Sequence, residues 1–73
     1  MIIVNLDVVL AKKKVRSKDL AEAINISEQN LSILKTGKAR AIRFSTLEAL
    51  CRELNCQPGD LLGFEPEQIE QAQ

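Results

Sequence analysis

With 73 residues the chain has room for one domain, and a domain of that size buries only about 60% of the surface its unfolded chain exposes. Hydrophobic residues supply 45% of the sequence but aromatic residues only 3%, Phe44 and Phe64 with no Trp or Tyr, so the core must be built of Leu, Ile, Val and Ala, a composition that favours helices. Ten basic residues cancel ten acidic ones, there is no His, and the sequence holds no nucleophile beside a base, Gly-rich phosphate loop or metal-ligand cluster, which argues against an enzyme, a cofactor or a small-molecule ligand.

The opening run from Met1 to Val4, MIIV, is rich in β-branched residues and reads as a short strand, or else as the apolar lead into the first helix. An exposed Ile and Val edge seeks a partner, and the one other extended candidate is Leu61 to Phe64, so pairing is expected within the chain or across a dimer. The stretch MIIVNLDVVL has no basic residue ahead of its apolar run and is interrupted by Asp7. It fits neither a secretory signal nor a membrane span, and a cytoplasmic protein with no membrane partner is expected. Asn5 is the expected N-cap of a helix from Leu6 to about Lys13, with Leu6, Val9 and Leu10 facing inward and Asp7 near the positive end of the helix dipole. Lys12, Lys13 and Lys14 end that helix, and the run reads as a solvated terminus ahead of any direct contact with a polyanion. Val15 then returns to the core.

From Ser17 to Gly37, SKDLAEAINISEQNLSILKTG, the apolar positions Leu20, Ala21, Ile24, Ile26, Leu31 and Leu34 repeat with helical spacing on both sides of one interruption at Asn25. Two short helices are implied, the first from about Ser17 to Ile24. After Gly, Asn best tolerates the left-handed backbone of a helix C-terminus, so Asn25 marks the turn. Ser27 offers an N-capping hydroxyl, Asn30 is placed to reach back in a weakened capping box, and Gly37 sits just past the last turn. Helices crossing at roughly 90 to 120° approach closely only where the side chain at the crossing is small, and Ala21 suits that place. The segment reads as a helix-turn-helix; the plain alternative is a helical hairpin packed only for stability.

KARAIRF follows as an irregular basic segment, of the kind that carries function when a rigid scaffold holds it. Phe44 is expected to pack inward ahead of Ser45-Thr46-Leu47-Glu48, a capping box opening a fourth helix with Leu47, Leu50, Cys51 and Leu54 buried and Asn55 at its end. Gln57-Pro58-Gly59-Asp60 starts a last short helix, with Pro where its missing N–H costs nothing, and Leu61 and Leu62 close the core. The domain is expected to span residues 1–64, and residues 65–73 to be a flexible tail. Cys51 and Cys56 lack the further ligands a zinc site needs, so both are expected reduced, Cys51 in the core.

Zero net charge hides a polarised distribution. Residues 12–43 hold nine basic side chains against three acidic ones, while the remainder holds Arg52 against seven acidic ones. The basic half can be steered to a polyanion in a salt-sensitive way.

The run DLAEAINISEQNLSILKTGKARAIRFSTLEALCREL resembles the Cro and phage-repressor type of helix-turn-helix proteins, the XRE family, and the similarity extends from about Leu6 to Leu62. The resemblance implies an all-α, five-helix, lambda-repressor-like domain, to which the residues add the short terminal β-strands. It also implies a sequence-specific transcriptional regulator, a repressor by the family's habit, that lays its third helix, about residues 28–36, in the major groove of double-stranded DNA. Many members carry Gly where this chain has Asn25.

On that reading the exposed face of the third helix presents Glu28, Gln29, Ser32 and Ile33 to base edges, with Ser27 at its start and Asn30 at the flank. Gln29 is the leading base reader, because its amide both donates to and accepts from adenine. Glu28 has two readings, acceptor for cytosine and stabiliser of the helix dipole. Ile33 offers contact to a thymine methyl where related repressors commonly place a polar residue, so sequence preference does not transfer. Ser17, Lys18, Thr36, Lys38, Arg40 and Arg43 would clamp phosphates, and the resemblance places Arg43 within reach of the minor groove. One domain makes few contacts, so a homodimer on half-sites about 34 to 36 Å apart is expected, joined through helices four and five or the terminal strands. The competing reading, a protein-interaction or antitoxin-like module on the same scaffold, draws on the acidic C-terminal half and the exposed Ile33.

Overall fold

A computed structural model describes residues 1–66; residues 67–73, most of the expected tail, lie outside the described residues. The elements run β1 (Ile2–Val4), α1 (Leu6–Lys13), α2 (Ser17–Ile24), α3 (Glu28–Lys35), α4 (Phe44–Leu54), α5 (Pro58–Leu61) and β2 (Leu62–Phe64). α2 packs against α3 and α4, while α1 lies against α3, α4 and α5. Among the described residues no helix is long and apolar enough to cross a membrane.

One cluster forms the core: Leu6, Val9, Leu10, Leu20, Ala21, Leu31, Leu34, Leu50, Leu54 and Leu61. No polar or charged residue among those described is fully buried. Ala21, only 1% exposed, supplies the small side chain that lets α2 meet its neighbours closely. Ile24, Ile26, Leu47, Cys51 and Leu62 pack around this cluster half-buried.

Four helices end in the same way. Lys14, Asn25, Gly37 and Asn55 are left-handed, with φ of 57°, 61°, 78° and 52°. Around each, the next residue donates its N–H five positions back: Val15 to Leu10, Ile26 to Ala21, Lys38 to Ile33 and Cys56 to Cys51, all at 3.0 Å. This Schellman arrangement satisfies carbonyls that a helix end leaves free and turns the chain sharply within two residues. The signals read at Asn25, Gly37 and Asn55 therefore mark turns of one kind.

The terminal strands pair with each other inside the chain, antiparallel, with Ile2 opposite Phe64, Ile3 opposite Gly63 and Val4 opposite Leu62. Beyond them Glu65 N–H donates to the Met1 carbonyl at 2.9 Å, and Asn5 N–H donates to the Leu61 carbonyl at 2.7 Å. These bonds tie the first residues to the last helix. The ribbon is thus an addition to a helical domain rather than a separate layer.

Three expectations need correction. Asn5 precedes α1, but its side chain makes no capping bond; Asn5 is held through its backbone to Leu61 instead. The capping box at Ser45 does not open α4, which begins at Phe44 with Arg43 extended as its N-cap and no side-chain cap. Phe44 is 87% exposed rather than inward, because Ile42 packs against the core from the preceding loop and takes the place expected of Phe44.

Lys14 is the one left-handed position occupied by a residue with no local preference for it, a conformation costing about 1–2 kcal/mol in most L-residues. Lys14→Gly is expected to raise the stability of the domain by about 0.5–1 kcal/mol in urea unfolding, the relief of strain being partly offset by a freer unfolded chain. An unchanged or lowered midpoint would contradict this account of the turn.

Candidate nucleic-acid interface

The arrangement of α3 follows from its two ends. Ser27 is extended, with φ of −73° and ψ of 153°, and its Oγ accepts the N–H of Asn30 at 3.0 Å. Only this forward half of the expected capping box is recorded among the described residues, and it uses the hydroxyl as an acceptor, so the Ser27 proton is not consumed. At the other end Gly37 N–H bonds the Leu34 carbonyl at 3.2 Å and Lys38 N–H bonds the Ile33 carbonyl, which closes the helix and starts the basic loop.

Between these ends the helical period divides the side chains. Leu31 is 0% exposed and Leu34 is also in the core, which turns Glu28, Gln29, Asn30, Ser32 and Ile33 to solvent. Ile33, at 41% exposure, is a sizeable apolar side chain on an otherwise polar face. An isolated apolar residue on a surface is ordinary. Here it lines a shallow groove together with Asn30, Arg43, Ile42 and Thr46, so the groove joins α3 to the loop that precedes α4. Arg43 is thereby brought beside the outward face of α3.

Not every expected residue joins that groove. Arg40 lines a neighbouring apolar hollow with Ile2, Val4 and Leu62, on the side of the terminal ribbon. Lys38 and Lys18 are exposed, Lys18 on the first turn of α2 and Lys38 directly after α3. The Thr36 hydroxyl already donates to the carbonyls of Ser32 at 2.9 Å and Ile33 at 3.3 Å, so reaching a phosphate requires it to leave those bonds.

Ser17 is half-buried, and its Oγ accepts a hydrogen bond from Lys35 Nζ at 2.9 Å. This contact joins the first residue of α2 to the last turn of α3 and places an ammonium beside the N-terminus of α2. Both features favour an anion at that point: a helix N-terminus carries free N–H groups and partial positive charge, and the ammonium adds a full one. Lys35 and Thr46 stand beside the expected contact residues without being among them. Lys35 was signalled, since it follows Leu31 by four residues and so borders the buried stripe; Thr46 was not, because its place in the groove depends on how the loop returns to the core.

Among the described residues, Arg16, the N-cap of α2, and Asp19 in its first turn form an exposed ion pair at 3.4 Å. Such a pair contributes little to stability. Among the described residues no other basic side chain of residues 12–43 is in an ion pair, and Lys13 reaches the Asn55 carbonyl at 3.5 Å, at the C-terminal end of α4.

Comparisons with known proteins agree with this geometry. The profile of the Cro/C1-type HTH DNA-binding domain matches residues 5–67. A Bacillus subtilis (strain 168) protein named as the uncharacterised HTH-type transcriptional regulator YozG is 59% identical over 63 residues, covering 86% of this chain and 75% of that protein. A crystal structure of a candidate DNA-binding protein from Bacteroides fragilis superposes with a TM-score of 0.78 at 28% identity, covering 86% of this chain and all of that one. Two helices joined by a left-handed Asn, a buried stripe that turns polar side chains outward, and a matching profile over most of the length have one meaning: the chain belongs to the Cro/C1-type helix-turn-helix DNA-binding domain family.

Proposed function

We propose that the chain is a transcriptional regulator, acting as a repressor in the cytoplasm, that binds duplex DNA as a pair of copies with α3 of each in the major groove. The observation that carries this reading is the face of α3 itself. Gln29, Ser32 and Ile33 face outward because Leu31 and Leu34 are held in the core, and side chains presented in this way suit base edges. The Bacillus subtilis relative carries the name of a transcriptional regulator, which supports the assignment.

Roles divide by chemistry. Gln29 supplies a donor and an acceptor for adenine, Ile33 an apolar contact for a thymine methyl, and Glu28 and Asn30 the neighbouring polar contacts. Ser27, Ser17, Lys18 and Lys38 meet phosphates, joined by Lys35 through its bond to Ser17. Arg43, beside Asn30 and Ile33 in the groove, reaches toward the adjacent minor groove, with Arg40 and Thr36 as outer phosphate contacts. Two copies are needed because one short helix reads only a few base pairs, and half-sites about 34 to 36 Å apart put both copies on one face of the duplex.

With duplexes selected from a random pool, Gln29→Ala is expected to cost about 1–3 kcal/mol of binding and to relax preference at one base, whereas Lys38→Ala weakens all sequences alike and flattens the salt dependence by about one unit. Uniform losses for both variants would contradict the division between reading and clamping. Lys35→Gln keeps a donor for Ser17 while removing the charge. It is expected to flatten the salt dependence by a similar unit with little change in thermal midpoint, and an unchanged slope would exclude Lys35 from the interface.

A further inference from the structure

The two cysteines lie away from the α3 face and are not used by the DNA-binding reading. Cys51 sits in the last turn of α4, and the left-handed turn at Asn55 folds the chain back so that Cys56 N–H donates to the Cys51 carbonyl at 3.0 Å. The turn brings the two side chains to one place, and both thiols are free and half-buried. They line an open hollow with Phe44, Leu47 and Pro58, so a small solute has access to them. At the other left-handed turns the residues in these two positions are Leu10 with Val15, Ala21 with Ile26 and Ile33 with Lys38. Packing at such a turn is met by ordinary side chains; two neighbouring thiols add a chemistry that packing does not need.

We propose that Cys51 and Cys56 form a dithiol modification site that closes reversibly into an intramolecular disulfide when hydrogen peroxide oxidises it. In the first step one thiolate attacks a peroxide oxygen: the O–O bond breaks, an S–OH bond forms, and hydroxide leaves and is protonated to water. In the second step the other thiolate attacks that sulfur, forming the S–S bond and expelling the hydroxyl oxygen as a second water. The two sulfurs together lose two electrons, and one peroxide is reduced to two waters.

The surroundings set the pace. Burial pushes the Cys56 thiol above its ordinary value, and the neighbouring Cys51 and Asp60 add to this while Lys13 opposes it. Glu48, on the rim of the hollow, is a further acid facing the site. The thiolate is the reactive form, so attack by Cys56 is slowed near neutral pH and quickens as pH rises. A closed bridge spans the C-terminal turn of α4 and leaves α3 untouched, so the oxidised chain is expected to gain heat stability and keep its DNA binding.

The test treats the full chain with hydrogen peroxide at about pH 7 and about pH 9, followed by alkylation and whole-chain mass spectrometry. The expected product is a monomer lighter by two hydrogens, closed to alkylation, formed faster at the higher pH, restored by dithiothreitol, and melting roughly 5 °C or more above the reduced chain. Cys56→Ser, in which Cys51 has no partner, is expected to take up oxygen or to cross-link between chains instead. Oxygen uptake by the unmodified sequence, a disulfide between chains, persistent alkylation of both thiols, or identical behaviour of Cys56→Ser would overturn the proposal.

Discussion

Two backbone hydrogen bonds around Asn25 set the direction of α3 relative to α2: Asn25 N–H to the Glu22 carbonyl at 3.2 Å and Ile26 N–H to the Ala21 carbonyl at 3.0 Å. They form only if residue 25 adopts a left-handed backbone, which costs Asn little. The return on that turn is large by comparison. It allows Leu31 and Leu34 to join the cluster of Leu20 and Ala21, and burying one Leu stabilises by about 1.5–3 kcal/mol. With those two leucines fixed inward, the helical period leaves no choice for Gln29, Ser32 and Ile33. The outward surface of α3 is therefore decided by the inside of the protein.

The same economy governs the rest of a small domain. Four repeated left-handed turns pack short helices around one aliphatic cluster, and hydrogen bonds between the first and last strands hold the ends together. No fully buried polar or charged residue among those described weakens the core. The charged side chains lie outside it, with positive charge concentrated in residues 12–43 and negative charge in the remainder. Net neutrality is consequently no obstacle to meeting a polyanion, since attraction at contact distance depends on the local charge within about 8–10 Å in physiological salt.

Much of this was legible in the sequence where local chemistry decides. Asn25, Gly37 and Asn55 announced their turns because few residues accept that backbone, and Ser27 announced the start of α3 because its hydroxyl fits a helix N-terminus. The pairing of Ile2–Val4 with Leu62–Phe64 was legible only in part: an apolar strand edge had one extended candidate to pair with, but whether within the chain or across a dimer stayed open, and Leu61 belongs to α5 instead. What was not legible depends on distant parts of the chain. Ser45 and Glu48 carry the letters of a capping box, yet α4 starts two residues earlier, where Ile42 anchors the loop to the core. Lys14 gives no hint of a left-handed backbone, which its place between two packed helices imposes. The bond from Lys35 to Ser17, and the approach of Arg43 to Asn30 and Ile33, join residues far apart in sequence and emerge only when the helices are packed.

The central claim is that α3 meets the duplex with its outward face, gripped on both sides by the N-terminus of α2 and the loop after α3. Amide chemical-shift mapping by NMR, with the full chain titrated by a selected duplex, tests this most directly. The account predicts large shifts at Ser17 and Lys18, through Ser27 to Ile33, and at Lys38 to Arg43, with α5 and the terminal ribbon near their free positions. Shifts concentrated on α4, α5 and the ribbon, with Gln29, Ser32 and Ile33 unmoved, would contradict it.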